Sequence, residues 1–205
     1  MFQLSKYCCF ELEIKASRFL AEGFPVSLGT EARQLIKNQK AKYKTASHVV
    51  HAFSLGAHAE ILGSSDDGEP AGTSGAPALQ VIKNYPISNI LVTVTRWFGG
   101  TLLGTGGLVK AYSGAVKQLL EHAEIEALIE KVFLEFTLEY SEYHGIKNSF
   151  TKYCFFCTKT TFSNHVALKG FIPKKTFESF RVFLRNATTG RVNINCVEKA
   201  HECTR

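Results

Sequence analysis

The run ISNILVTVTRWFGGTLLGTGGLVKAYSGAVKQLLEH, residues 87–122, holds three patterns in succession. Ile87–Thr95 is an apolar, β-branched segment of the kind a buried strand needs. Phe98–Gly107 contains Gly99, Gly100, Gly104, Gly106 and Gly107 and reads as a loop. From Leu108, the residues Tyr112, Ala115, Leu119 and Leu120 continue at helical spacing to about His122. Glycines at a strand-to-helix passage let backbone amides approach a ligand, and a helix start favours negative charge. Arg96 would add a two-pronged partner for an oxyanion, and Trp97 or Phe98 a stacking face. The pattern is not a P-loop, because Thr105 and Gly106 follow Gly104 where Lys and Ser/Thr are required. Nor does the dinucleotide fingerprint G-x-G-x-x-G run through it. Tight turns and close helix packing use the same glycines, so the segment reads either as an anion- or polymer-binding surface or as a folding device.

Upstream lies GSSDDGEPAGTSGAP, residues 63–77, a loop by its turn chemistry. Asp66, Asp67 and Glu69 share one exposed turn there. Three carboxylates so close repel, so at least one should have a raised pKa or a cation partner. They suit oxygen ligation of a divalent ion or acid–base work. Asp-Gly and Glu-Pro are also ordinary turn makers, and the spacing fails the calcium-loop pattern. Between the two motifs, Ala76–Tyr85 is expected to be helical.

Further out, Phe10–Ser17 alternates as a strand and Phe19–Val26 follows as its hairpin partner. Thr30 is placed to cap a helix reaching about Tyr43. Ala32, Leu35, Ile36, Gln39 and Tyr43 line one face of it, and Arg33, Lys37, Lys40 and Lys44 form a basic stripe expected to be solvated. Ser47–Leu55 reads as a strand, which sends His48 and His51 to opposite faces and argues against joint metal binding. Beyond residue 130 the expected order is a strand at Lys131–Tyr140, a helix at Glu142–Tyr153, strands at Cys157–Ser163 and Val166–Ile172, a helix from Pro173 to about Arg185 and a strand at Gly190–Val197. This is the βαββαβ, ferredoxin-like pattern. The fold class is therefore α+β in two domains.

Residues 1–129 carry 12 Lys/Arg against 11 Asp/Glu, and residues 130–205 carry 12 against 7. The surplus in the second part is compatible with a nucleic-acid partner without requiring one. Cys154-x-x-Cys157 has motif spacing but no second pair for zinc, and it follows an expected helix end instead of opening a helix. The six cysteines are expected to be reduced, and Cys154 and Cys157 to be buried free thiols. No apolar run approaches the ~20 residues of a membrane span. Met1–Phe10 lacks the apolar core of a signal peptide. A cytoplasmic protein with no membrane partner is expected.

The stretches DDGEPAGTSGAP (66–77) and TRWFGGTLLGTGGLVKAYSGA (95–115), in this order, resemble the paired signature of the YigZ/IMPACT family. EIKASRFLAEGFPV (13–26) resembles that family's opening segment, and the likeness covers nearly all of residues 10–122. The remainder resembles the small ferredoxin-like domain of the bacterial members. Trp97 stands where a tyrosine is usual, and Lys110 where arginine is common, without arginine's fork geometry. The resemblance implies an N-terminal domain, residues 1–128, similar to the second domain of a small-subunit ribosomal protein and to domain IV of elongation factor G. It implies a C-terminal domain, residues 129–205, similar to the last domain of that factor.

The function this implies is a non-enzymatic RNA- or ribosome-associated factor linked to the regulation of translation, without cofactor or metal. Arg18, Arg96 and Lys110 would contact phosphate or carboxylate, while the amides near Gly99, Gly100, Gly104, Gly106 and Gly107 position the polymer. The acidic turn at Asp66, Asp67 and Glu69 fits that reading poorly, because carboxylates repel phosphate. The alternative is an enzyme acting on a small phosphate- or carboxylate-bearing substrate through the acidic turn and Arg96. No serine in the region has a base evident from sequence. A protein-interaction module is the third reading. Eukaryotic relatives act in translational control with an added N-terminal interaction domain that residues 1–205 do not include, so their kinase-related role is not carried over. The oligomeric state is not specified by the sequence.

Overall fold

The computed structural model describes residues 1–197, so Cys203 lies outside the described residues. The chain divides into two compact units, Met1–Leu128 and Ile129–Arg205. The elements of the first are β1 (Phe2–Leu4), β2 (Cys8–Ile14), β3 (Ser17–Pro25), α1 (Gly29–Lys42), β4 (His48–Leu55), β5 (Ile61–Ser65), α2 (Gly75–Lys83), β6 (Ile90–Trp97), α3 (Gly104–Glu121) and β7 (Ile125–Ala127). Those of the second are β8 (Lys131–Leu138), α4 (Tyr140–Ile146), β9 (Phe156–Phe162), β10 (Val166–Pro173), α5 (Lys174–Ala187) and β11 (Ile194–Val197). Among the described residues, no helix is long and apolar enough to cross a membrane.

In the first unit a five-stranded antiparallel sheet runs in the order β2-β3-β6-β4-β5. Its centre is β6, where every residue from Ile90 to Arg96 is buried. A strand covered on both faces does not alternate with charged residues, and this one carries apolar residues and threonines until Arg96. Helices α2 and α3 pack on one face, against Phe19, Ala21, Val50, Ala52, Val92 and Val94. Helix α1 covers the other, where Ala32 meets Val26, Leu55 and Leu91. That second face also holds polar groups. The buried Glu22 carboxylate accepts hydrogen bonds from Tyr7 (2.9 Å) and Gln39 (3.1 Å) and lies 3.3 Å from the Lys42 ammonium. A buried charge needs such partners. Burial, then the Glu22 carboxylate, push the Tyr7 phenol far above its ordinary pKa.

Several boundaries depart from the sequence expectation. The β2–β3 hairpin turns at Lys15 and Ala16, both at positive φ (48° and 60°), the geometry of a tight two-residue hairpin. Thr30 does not cap α1. The cap is Leu28, two residues earlier, and the Glu31 carboxylate reaches back to the amides of Ser27 and Leu28 at 3.2 Å each. The loop expected from residue 63 begins instead after Ser65, because Ile61–Ser65 pairs with the edge of β4. The glycine-rich run is helical from Gly104, four residues before Leu108. Tertiary packing of the helix on the sheet here outweighs glycine's low propensity.

The second unit has strand order β11-β8-β10-β9, all neighbours antiparallel, with the connectivity βαββαβ. Its core joins Leu134, Phe136, Leu138, Val166, Leu168 and Ile172 to Phe180 and Leu184 of α5. The helix expected through Tyr153 stops at Ile146 and gives way to short 3-10 turns, ended by Cys154 at φ 57°. The described cysteines are free, but the expectation that Cys154 and Cys157 are buried fails: both are exposed, as are Cys9 and Cys196, and Cys8 is half-buried. Cys154 sits at a turn, and Cys157 and Cys196 lie on the sheet's two edge strands, where a small apolar side chain has nothing to cover it. Phe180 is fully buried, with ring contacts to Phe136, Phe150, Tyr153, Phe155 and Phe183. Phe180→Ala should therefore cost about 3–5 kcal/mol, read from urea unfolding.

Candidate functional site

The acidic turn is built around three different acceptors, each with its own donors. Asp66 binds the start of α2: Oδ1 accepts from the Ser74 hydroxyl (2.7 Å) and from the amides of Gly75 (2.7 Å) and Ser74 (3.1 Å), and Oδ2 accepts from the Gly72 amide (2.8 Å). These donors would otherwise be orphans at a helix start. Desolvation by itself would raise the Asp66 pKa. The bonds from the Ser74 hydroxyl and the three amides outweigh it and hold the carboxyl below its ordinary value.

Asp67, at φ 47°, faces the other way. Its Oδ2 accepts from the Val49 amide at 2.7 Å, and Oδ1 pairs with Lys40 of α1. Its backbone carbonyl lies 2.8 Å from His48 Nδ1. A carbonyl only accepts, so Nδ1 carries the proton and Nε2 is left to face Glu69 Oε2 at 3.9 Å. Lys40 thus belongs to an ion pair instead of a purely solvated stripe.

Glu69 is buried and reaches inward. Its Oε1 accepts from Arg96 Nη1 at 2.7 Å and from the Tyr112 hydroxyl at 2.7 Å. Tyr112 is fully buried on α3 and stands edge-on to Phe19 with ring centroids 5.3 Å apart. Burial, then the Glu69 carboxylate, keep its phenol protonated far above the ordinary range. Arg96 sits 5.6 Å from the ring centroids of both Phe19 and Phe98. The expected repulsion among the three carboxylates is thus resolved by cation partners for two and backbone amides for the third. Each carboxylate is engaged within the protein, and among the described residues no cluster of three or more His, Cys, Asp and Glu side chains is arranged to hold a metal ion.

A cavity of about 530 Å³ opens beside this cluster, lined by His48, Glu69, Arg96, Phe98, Leu103 and Thr105 among others. The Glu69 and Arg96 charges cancel across 2.7 Å, so the cavity offers an anion no net positive charge. The glycines divide by role. The Gly99 amide donates to the Ser17 hydroxyl at 3.2 Å, and a Cβ there would lie 2.0 Å from the Ala16 backbone. Gly100 (φ 85°) and Gly104 (φ 73°) hold turns that other residues rarely adopt. Gly106 and Gly107 lie in the first turns of α3.

The predicted cations are not gathered. Arg96 points to the α2–α3 side of the sheet. Arg18, paired in register with Trp97, is on the α1 side, exposed, its guanidinium 3.9 Å over the Trp97 ring and 3.7 Å from Glu11. Lys110 is exposed on α3, whose inward face presents Leu108 and Tyr112. Sequence reasoning missed Tyr112 as a site residue and treated it as core. The available signal was a polar-tipped aromatic on a buried helix face, which needs a hydrogen-bond partner. His48 and Lys40 carried no such signal, because their partners come from another loop.

Comparisons with known proteins agree on where this chain belongs. The family model described as the Impact N-terminal domain matches residues 15–120. The chain is 34% identical over 191 residues to a Haemophilus influenzae protein described as an IMPACT family member, covering 92% of this chain and 93% of that one. It is 32% identical over 191 residues to IMPACT family member YigZ of Escherichia coli, with 91% and 93% covered. Against a solved structure of a hypothetical protein it superposes with a TM-score of 0.70 at 29% identity, covering 97% of both chains.

Three substitutions test the architecture of this site. Glu69→Gln leaves the buried Arg96 charge unpaired and should cost about 3–5 kcal/mol in urea unfolding, part of which returns in Glu69→Gln, Arg96→Met. Asp66→Ala should cost about 1–2 kcal/mol. Because the folded pKa of Asp66 is lowered, its contribution is complete above the ordinary value of 3.8 and is lost as pH falls below that toward the folded value. The variant's stability should accordingly fall less steeply than the parent's across that acid window.

Proposed function

Because this chain belongs to the IMPACT family, we propose that it is an RNA- or ribosome-associated protein acting in translation through binding and not catalysis. The observation that carries this reading is the exposed Arg18 guanidinium laid over half-buried Trp97 at the start of the glycine loop. A guanidinium plane laid over an indole is preorganised both for phosphate and for stacking on an unpaired base. Trp97 is fixed in turn by Tyr43, edge-on at 5.5 Å, and by Thr45, whose hydroxyl lies 3.4 Å from the indole nitrogen. Exposed Lys15 and Lys44 flank the residues that touch this loop, Ala16 at Gly99 and Thr45 at Trp97.

The acidic turn no longer weighs against the reading. Asp66 is engaged by amides, Asp67 by Lys40 and Glu69 by Arg96, so little uncompensated negative charge remains to repel a phosphate backbone. Arg96 is a structural cation here, buried against Glu69, whereas the Arg18–Glu11 contact at 3.7 Å is solvent-exposed and weak, so Arg18 takes over the contact expected of Arg96.

The test is co-sedimentation with ribosomes and RNA binding across a salt series. Affinity should fall steeply as salt rises, because phosphate contacts release counterions. Arg18→Ala should weaken binding roughly tenfold, and Arg18→Lys should restore the charge but only part of the affinity. Affinity that is indifferent to salt, or absent at low salt, would refute the proposal.

A further inference from the structure

The two faces of the second unit's sheet differ. One carries the core beneath α4 and α5. On the other, one row of residues runs across all four strands in direct register: Val197 of β11 opposite Phe133 of β8, Phe133 opposite Phe171 of β10, and Phe171 opposite Phe156 of β9. The rings of Phe133 and Phe171 are 5.9 Å apart, and those of Phe171 and Phe156 are stacked at 5.1 Å with planes 19° apart. Phe156 is 55% exposed and Val197 39% exposed, while Phe133 and Phe171 are half-buried. An apolar row this exposed contributes little to the core and favours a partner.

The surroundings of the row say which partner. Lys131 lies over the Phe171 ring at 4.7 Å. The next row along the strands is polar, with Glu135 opposite Lys169 and Lys169 opposite Lys159. Lys169 pairs with Glu135 at 3.0 Å, and Lys131 and Lys159 add exposed positive charge on either side of the aromatic row. The residues beyond Ile129 carry five of the six net positive charges of the chain. A second copy of the same basic surface would be repelled. A polyanion with flat, apolar faces would be held on both counts.

Resting on the reading that the chain associates with RNA, we infer that this open sheet face is a stacking platform for single-stranded RNA. Unpaired bases lie on Phe133, Phe171 and Phe156, and Lys131 and Lys159 take the adjoining phosphates. The two central strands, β8 and β10, supply the first two rings, an arrangement in which a four-stranded sheet binds two or three unstacked bases. Duplex RNA does not fit, since its bases are closed to stacking.

The test uses the full chain and fluorescence anisotropy with a labelled single-stranded oligouridine, an oligoadenine and an RNA duplex. Phe156→Ala should weaken single-strand affinity roughly tenfold and leave duplex affinity unchanged, while Phe156→Tyr keeps the parent's affinity. The slope of affinity against salt should be unchanged by Phe156→Ala and reduced by about one by Lys131→Ala, because the ring contributes stacking and the lysine a phosphate contact. Phe156 is mostly exposed, so the Phe156 variants should unfold at the parent's urea midpoint. If the parent binds single-stranded RNA and Phe156→Ala with Phe171→Ala binds it equally well, the platform is refuted while RNA association stands. If the parent binds no RNA at low salt, both fall. If the substitutions abolish a dimer seen in sedimentation and leave RNA affinity untouched, the face is a self-association surface and the inference is overturned.

Discussion

The carboxylate of Glu69 holds the first unit's signature segments together. It comes from the acidic turn, takes a hydrogen bond from Arg96 on the central strand, and takes another from Tyr112 on α3. Loop, strand and helix are thus joined at one oxygen. A buried ion pair repays its desolvation only when geometry and additional hydrogen bonds are good, and Tyr112 supplies the additional bond. That constraint gives a physical reason for the DDGEP and TRWFGG segments to occur in one chain. Each provides half of a charge pair that neither could bury alone.

Around this centre the turn is assembled by division of labour. Asp66 organises the start of α2, Asp67 ties the turn to β4 and α1, and Glu69 closes over Arg96. Side chains that look in sequence like a cluster of acids act as three separate clasps. What is left for the outside is of the opposite character: exposed Arg18 over Trp97, and lysines beside the same loop. The second unit, taken by itself, shows a related combination, with phenylalanines in a row on an open sheet face and lysines beside them. Both are surfaces on which a flat, anionic partner is better matched than an apolar or a cationic one.

Much of this was legible in the sequence. The central strand, expected at Ile87–Thr95 and found at Ile90–Trp97, announced itself through β-branched residues with no charge before Arg96. The βαββαβ order of the last part followed from the change of hydrophobic period between segments. The opposed directions of His48 and His51 followed from the two-residue period of a strand, and Phe19 and Arg18 diverge for the same reason. The errors were local. Thr30 looked like a cap because caps are a type of residue, but the choice between Thr30 and Glu31 depended on where the first turn closed. The glycines of 104–107 looked like loop because propensity is a weak prior that packing overrides.

Residue type and spacing are properties of the chain near a position, so the sequence by itself determined most of the longer strands and helices, their order, the family and the presence of one acid-bearing and one glycine-rich segment. Which acid meets which base is a property of positions 27 residues apart for Lys40 and Asp67 and for Glu69 and Arg96, and 43 apart for Glu69 and Tyr112. Pairings at that range are set by sheet register and helix packing, which no local pattern encodes. Tertiary structure alone therefore decided that Arg96 is spent inside the protein, that Arg18 stands outside it, and that three phenylalanines from three strands fall into one row.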